Sequence, residues 1–134
     1  MIEILDTANI DEFTVMRNLY TKEGFGFIII FDITNEQTFQ SVEERIQEIM
    51  RKKRMRSVKM VIVGNKTDLE PSRVVSSSRG SFLTKKYPNC SYLEISAKSN
   101  LNIDKLFVDL VERCYKSFPF ILVNKQKNKN CNLF

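Results

Sequence analysis

Met60-Val-Ile-Val-Gly-Asn-Lys-Thr-Asp68 (MVIVGNKTD) runs from an apolar pentapeptide straight into a polar turn. Met60 to Gly64 shows none of the alternation of a strand with one wet face, so it reads as a strand buried on both sides, as in a parallel sheet. Asn65 to Pro71 then supplies the turn residues that end it. Gly26 to Asp32 (GFIIIFD) has the same character, and Tyr92 to Ser96 and residues 2–6 (IEILD) read as shorter strands. Helical spacing fills the intervals. Phe13, Met16 and Tyr20 mark a helix over Glu12 to Tyr20. Thr34-Asn-Glu-Gln37 reads as a capping box ahead of Phe39, Val42, Ile46 and Ile49. Residues 74–87 form a weaker helix, because Ser76, Ser77, Ser78 and Gly80 are poor helix formers. Asn102 is placed to cap a last helix whose stripe is Ile103, Leu106, Phe107, Leu110, Val111 and Cys114. Strands alternating with helices predict a three-layer α/β domain with a parallel sheet and right-handed crossovers.

The chain has 134 residues, 43% of them hydrophobic, with four Gly and three Pro, which describes one globular domain rather than a disordered or fibrous chain. We assign it to residues 1–120, followed by a basic, disordered tail over 121–134. Cys90, Cys114 and Cys131 form no C-x-x-C pair and the chain has no His, so a zinc cluster lacks ligands and a reducing compartment is expected. No signal-peptide pattern and no run of 18 apolar residues occurs. The net charge of +5 is local: Arg51, Lys52, Lys53, Arg54, Arg56 and Lys59 form one patch, and Lys125, Lys127 and Lys129 another. Without those nine the body carries twelve bases against 16 acids, which argues against a nucleic-acid binder. The first patch reads as a solvated helix end favoured by the dipole, with contact to anionic lipid as the alternative.

In such sheets ligands lie beyond the carboxyl ends of the strands, where Asp6-Thr7-Ala8-Asn9, Asn65-Lys66-Thr67-Asp68 and Ser96-Ala97-Lys98 fall. With ILDTA (4–8), MR (16–17), GF (26–27), VGNKTDL (63–69) and EISAKS (94–99) in this order, the chain resembles the Ras-like small GTPases. The resemblance implies a P-loop-GTPase-like fold, GTP and GDP as ligands with Mg2+, slow hydrolysis, and exchange factors and effectors as partners. It also assigns roles. Asp68 accepts from guanine N1-H and N2-H2, a donor pair that adenine lacks, and Asn65 bonds N7 and braces the loops. Lys66 and Lys98 cover the ring, the Ala97 amide reaches O6, and Ser96 holds its loop. Asp6 to Asn9 correspond to the second switch segment, with Asp6 a water-mediated magnesium contact.

The departures from the family pattern are specific. A phosphate-cradling loop needs two glycines five apart followed by Lys-Ser or Lys-Thr. Five residues beyond Gly24, Gly26, Gly64 and Gly80 stand Ile29, Phe31, Leu69 and Lys85, so that motif is not in this sequence. The expectation is a truncated fold without the first two strands and first helix, with unpaired strand flanks and low stability. The family's Asp-x-x-Gly is Asp6-Thr-Ala-Asn9, and the residue that is usually a water-orienting glutamine is Ile10, which has no polar atom for that task. No residue is therefore assigned as catalytic, and a degenerate, non-hydrolysing interaction module is the alternative to a GTP-binding switch.

Cys131-Asn-Leu-Phe134 has the C-a-a-X form, with a final Phe that favours geranylgeranyl. A prenyl group beside Lys125, Lys127 and Lys129 supplies the two signals that stable anchoring requires. The expected location is the cytoplasmic face of a membrane, the plasma membrane first.

Overall fold

In the computed structural model, residues 3–7, 14–53 and 58–117 are described. The elements are α1 (Thr14–Glu23), β1 (Gly26–Asp32), α2 (Glu36–Lys53), β2 (Lys59–Asn65), a 3-10 segment (Thr67–Ser72), α3 (Ser77–Lys86), β3 (Cys90–Glu94) and α4 (Ile103–Ser117). The strands form a parallel sheet in the order β1-β2-β3, with Gly26 opposite Lys59 and Met60 opposite Cys90. Because successive side chains point to opposite faces, one apolar run feeds two cores. Ile29, Phe31, Met60 and Ile62 pack with Val42 and Ile46 of α2 and with Leu83 of α3. Val61 and Val63 face the other way, onto Leu106 and Leu110 of α4. The result is the expected three-layer α/β arrangement, with α1 leaning on α2.

Three expectations are corrected. Residues 3–6 form no strand: they are exposed and irregular, and β1 has only β2 beside it among the described residues. An isolated extended segment has no ladder to join and gains nothing from β geometry. Ile30 of β1, on the α4 side of the sheet, is correspondingly 55% exposed. The cap of α2 is Asn35, whose Oδ1 accepts the Gln37 amide at 3.0 Å, whereas Thr34 gives its hydroxyl to Asp32 Oδ1 at 2.7 Å. A carboxylate is the stronger acceptor, so it takes the threonine. Asn102 is in the left-handed region (φ 59°), and its side-chain amide donates to Glu94 O at 2.9 Å rather than serving as an acceptor cap for α4. The start of the predicted helix at Glu12 and Phe13, together with Arg54, Arg56 and the whole 121–134 tail, lies outside the described residues.

Gly80 explains why a poor helix former sits inside α3. A Cβ there would stand 2.3 Å from the ring of Tyr92, which stacks on Phe31 and cannot retreat freely. Glycine-to-alanine in a helix ordinarily gains up to about 1 kcal/mol. Here the overlap reverses the sign, and Gly80→Ala is expected to lose about 1–3 kcal/mol in urea unfolding, as overpacked cores do.

Candidate functional site

The site is made by two loops leaving neighbouring strands at their carboxyl ends. After β2, Lys66 turns left-handed (φ 72°, ψ 37°), a conformation that costs a non-glycine residue roughly 1–2 kcal/mol. Strain of this kind gathers at functional sites because surrounding contacts must hold it. Asn65 Oδ1 supplies part of that hold, accepting the Lys66 amide at 2.8 Å. Lys66 Nζ lies 2.5 Å from Asp32 Oδ2 at the end of β1. Burial works to raise the Asp32 carboxyl, but Lys66 and then the Thr34 hydroxyl and amide outweigh it and keep it below the usual carboxylate range.

The second loop is pinned to the first. Thr67 gives both its amide and its hydroxyl to Ile95 O, at 3.2 and 3.1 Å. Ser96, fully buried, donates its hydroxyl to Asp68 Oδ1 at 2.6 Å and accepts the Ser99 amide at 3.1 Å. A buried hydroxyl must be satisfied, and this one is satisfied on both sides. The Ala97 amide donates to Asn65 Oδ1 at 3.1 Å. A tight turn returns the chain from Leu101 to Ser96, with Asn100 at φ 58°. Asparagine tolerates that region better than most residues.

Six residues singled out in the sequence thus meet. Asn65, Lys66, Asp68, Ala97 and Lys98, with Leu69, line an open cleft of about 330 Å3, and Ser96 stands behind Asp68. The third segment does not join them within the described residues. Asp6 and Thr7 are exposed and irregular, and Ala8, Asn9 and Ile10 lie outside the described part. Cys131, Lys125, Lys127 and Lys129 lie outside it too.

Arg73 and Glu94 are residues that sequence reasoning missed. Arg73 donates Nη1 and Nη2 to the two oxygens of Glu94, both at 2.9 Å, and Nε and Nη2 to Glu70 at 2.8 and 2.7 Å. Tyr92 adds its hydroxyl to Glu94 Oε1 at 2.6 Å. Glu70 first, and Glu94 after it, raise the guanidinium above its ordinary value. The network ties the segment after Asp68 to the strand that leads into Ser96, so one fork fixes both walls of the cleft. Removing one partner leaves the part-buried Glu94 uncompensated. Arg73→Ala is therefore expected to lower unfolding stability by about 2–3 kcal/mol. An unchanged urea midpoint would show that the fork does not hold the two walls.

The family model for the Ras family matches residues 1–116. The chain belongs to the Ras family. The Ras-family assignment agrees with the α/β architecture and its parallel sheet, and it carries a small-GTPase-like, guanine-nucleotide-binding function in general terms. The chemistry of this Ras-family cleft suits a guanine base: Asp68 offers a carboxylate acceptor, Asn65 an amide, and the Ala97 N–H a donor, all on one opening. The family implies Mg2+ in general terms, and Asp6, the residue that the resemblance assigns to it, is not among the residues lining this cleft. No group of three His, Cys, Asp or Glu side chains stands together among the described residues. No step is assigned to a metal here.

Proposed function

We propose that the cleft takes the guanine base of GTP or GDP and that the chain acts as a membrane-attached, Ras-type signalling element. The observation that carries this reading is the Ser96–Asp68 bond of 2.6 Å beside the Asn65–Ala97 bond of 3.1 Å, two links that converge on one opening. With its Oδ1 held by Ser96, Asp68 has its second oxygen left to accept from N1-H and N2-H2 of guanine. The Ala97 N–H is held by Asn65 Oδ1 in the absence of base, so binding exchanges that bond for one to O6, while N7, an acceptor, takes its hydrogen bond from the Asn65 side-chain NH2. Lys66 and Lys98 lie along the rim to cover the ring. GTP or GDP brings the phosphates that a phosphate-cradling loop would hold, and no such loop motif occurs in the sequence. Base contacts alone give weak affinity, so displacement of a fluorescent GDP is expected at high micromolar to millimolar GDP, and ADP should fail to compete. Equal competition by ADP would remove the reading.

A second reading, that of a non-hydrolysing interaction module, rests on Ile10, which cannot orient an attacking water. Phosphate release above the buffer background that is lost in Asp68→Ala would exclude it. Attachment is supported by Cys131-Asn-Leu-Phe134 and the lysines ahead of it. Among the described residues no helix is long and apolar enough to cross a membrane. An isoprenoid label should enter the wild type and not Cys131→Ser, and equal labelling of both would end the lipid anchor. The cytoplasmic face of the plasma membrane follows as the proposed location.

A further inference from the structure

The side chain that would cover the base is a lysine, and a lysine stem is flexible: its ammonium is a strongly hydrated point charge at the end of four carbons. Such a side chain covers a ring at low cost only when its head is already held, because ordering it at the moment of binding consumes affinity. In this structure the head of Lys66 is held. The side chain is 50% exposed, yet Nζ lies 2.5 Å from Oδ2 of Asp32, whose own side chain is 18% exposed. Asp32 is not among the residues that line the cleft, so anything it does for a ligand there it does through Lys66.

The anchor is itself fixed. The Asp32 amide donates to Thr38 Oγ1 at 3.0 Å, and Asp32 Oδ1 accepts the Thr34 amide at 2.8 Å and the Thr34 hydroxyl at 2.7 Å. Oδ1 thus belongs to the turn after β1, and Oδ2 is the oxygen given to Lys66. The next residue is tied to both ends of the loop that follows β2: the Ile33 amide donates to Asn65 O at 3.1 Å, and Ile33 O accepts the amides of Val74 and Val75 at 2.9 and 3.0 Å. The exit of β1 therefore cannot drift from the cleft. The left-handed backbone of Lys66 has separate support in Asn65 Oδ1, which accepts its amide at 2.8 Å, and this leaves the ion pair to place the side chain.

We infer that Asp32 is a positioning residue for the base site: by holding the Lys66 ammonium it keeps the lysine stem laid where a guanine ring would be covered. The inference rests on the guanine reading above and adds to it a residue outside the cleft. Asp32→Asn tests it, because the amide oxygen can still accept from Thr34 while the NH2, a donor, cannot hold an ammonium. Lys66→Met keeps an unbranched stem and removes the head. Both variants and the double variant are titrated, as full chains, with guanosine, which brings no charge for Asp32 or Lys66 to act on, and the Ala97 amide shift is followed. An ion pair this exposed carries an effect of about fivefold. Each single variant is therefore expected to bind guanosine about fivefold more weakly, and the double variant no more weakly than either single, since one interaction is lost in all three. Losses that multiply to about 25-fold in the double variant overturn the inference. So does wild-type affinity for guanosine in either single variant, whatever its urea midpoint. A gain for GDP in Asp32→Asn without a loss for guanosine overturns it too, because Asp32 would then do no more than neutralise a charge. Adenosine separates this inference from the reading beneath it. If the wild type takes adenosine as readily as guanosine, the base reading falls and the positioning role falls with it; if the wild type prefers guanosine and Asp32→Asn keeps both the preference and the affinity, only the positioning role falls.

Discussion

Phe31→Ala is expected to lower the free energy of unfolding by about 3–5 kcal/mol, a large part of the 5–15 kcal/mol that a domain of this kind has to lose. Phe31 is 2% exposed. Its ring meets Phe39 edge-on at 5.0 Å and stacks on Tyr92 at 6.4 Å, so one side chain joins β1 to α2 and reaches across β2 to β3. Truncation removes the transfer energy of the ring, leaves a cavity, and withdraws the aromatic partners from Phe39 and Tyr92 together. Tyr92 is also the ring against which Gly80 packs and the donor to Glu94, so the loss travels toward the cleft. Phe31→Leu, which keeps most of the volume, is expected to cost less than about 1.5 kcal/mol. Urea unfolding of both variants checks this. A drop below about 1 kcal/mol for the alanine variant would mean that the face of the sheet shared by α2 and α3 is not the main core.

The second large effect concerns base choice. Asp68→Asn is expected to weaken guanine binding by about a hundredfold, the worth of a charge-assisted pair of hydrogen bonds. The reason lies behind the residue. The Ser96 hydroxyl holds Oδ1 at 2.6 Å, and in the variant it would keep the amide oxygen, turning the NH2 toward the base. That donor then faces guanine's own N2-H2. Xanthine carries an oxygen at the same ring position, so the variant is expected to prefer xanthine nucleotides over guanine nucleotides. Competition by XDP and GDP against a fluorescent guanine nucleotide measures the inversion. Retained preference for GDP in Asp68→Asn would take the base contact away from this carboxylate.

How much of this was legible beforehand depended on whether the signal was local. Gly26 to Asp32 and Met60 to Gly64 announced buried strands because neither face could be polar; β1 has those same bounds and β2 is longer by one residue at each end. Asn65, Lys66, Asp68, Ser96, Ala97 and Lys98 were legible as a set, since short polar runs at strand exits can gather only beyond the sheet's carboxyl edge. The strand at residues 2–6 was misjudged because a strand needs a neighbour, and alternation in the sequence does not reveal one. Thr34 was misjudged because the competing acceptor, Asp32, stands upstream of the capping pattern. Nothing in the spacing pairs Arg73 with Glu94, 21 residues apart, nor Lys66 with Asp32; only the register of β1, β2 and β3 brings them together. Gly80 looked like a helix weakness and is a clearance for Tyr92.

Selection of one purine by a carboxylate and an amide held on two linked loops is what the cleft is proposed to do. Backbone-amide NMR of the full chain during titration with guanosine, inosine and adenosine monophosphates tests it most directly. Shifts are expected at Ala97, Asp68 and Ser99 in the order guanosine, then inosine, which lacks the N2 amine, with adenosine silent. Equal shifts for adenosine and guanosine, or guanosine shifts confined to residues away from these loops, would contradict it.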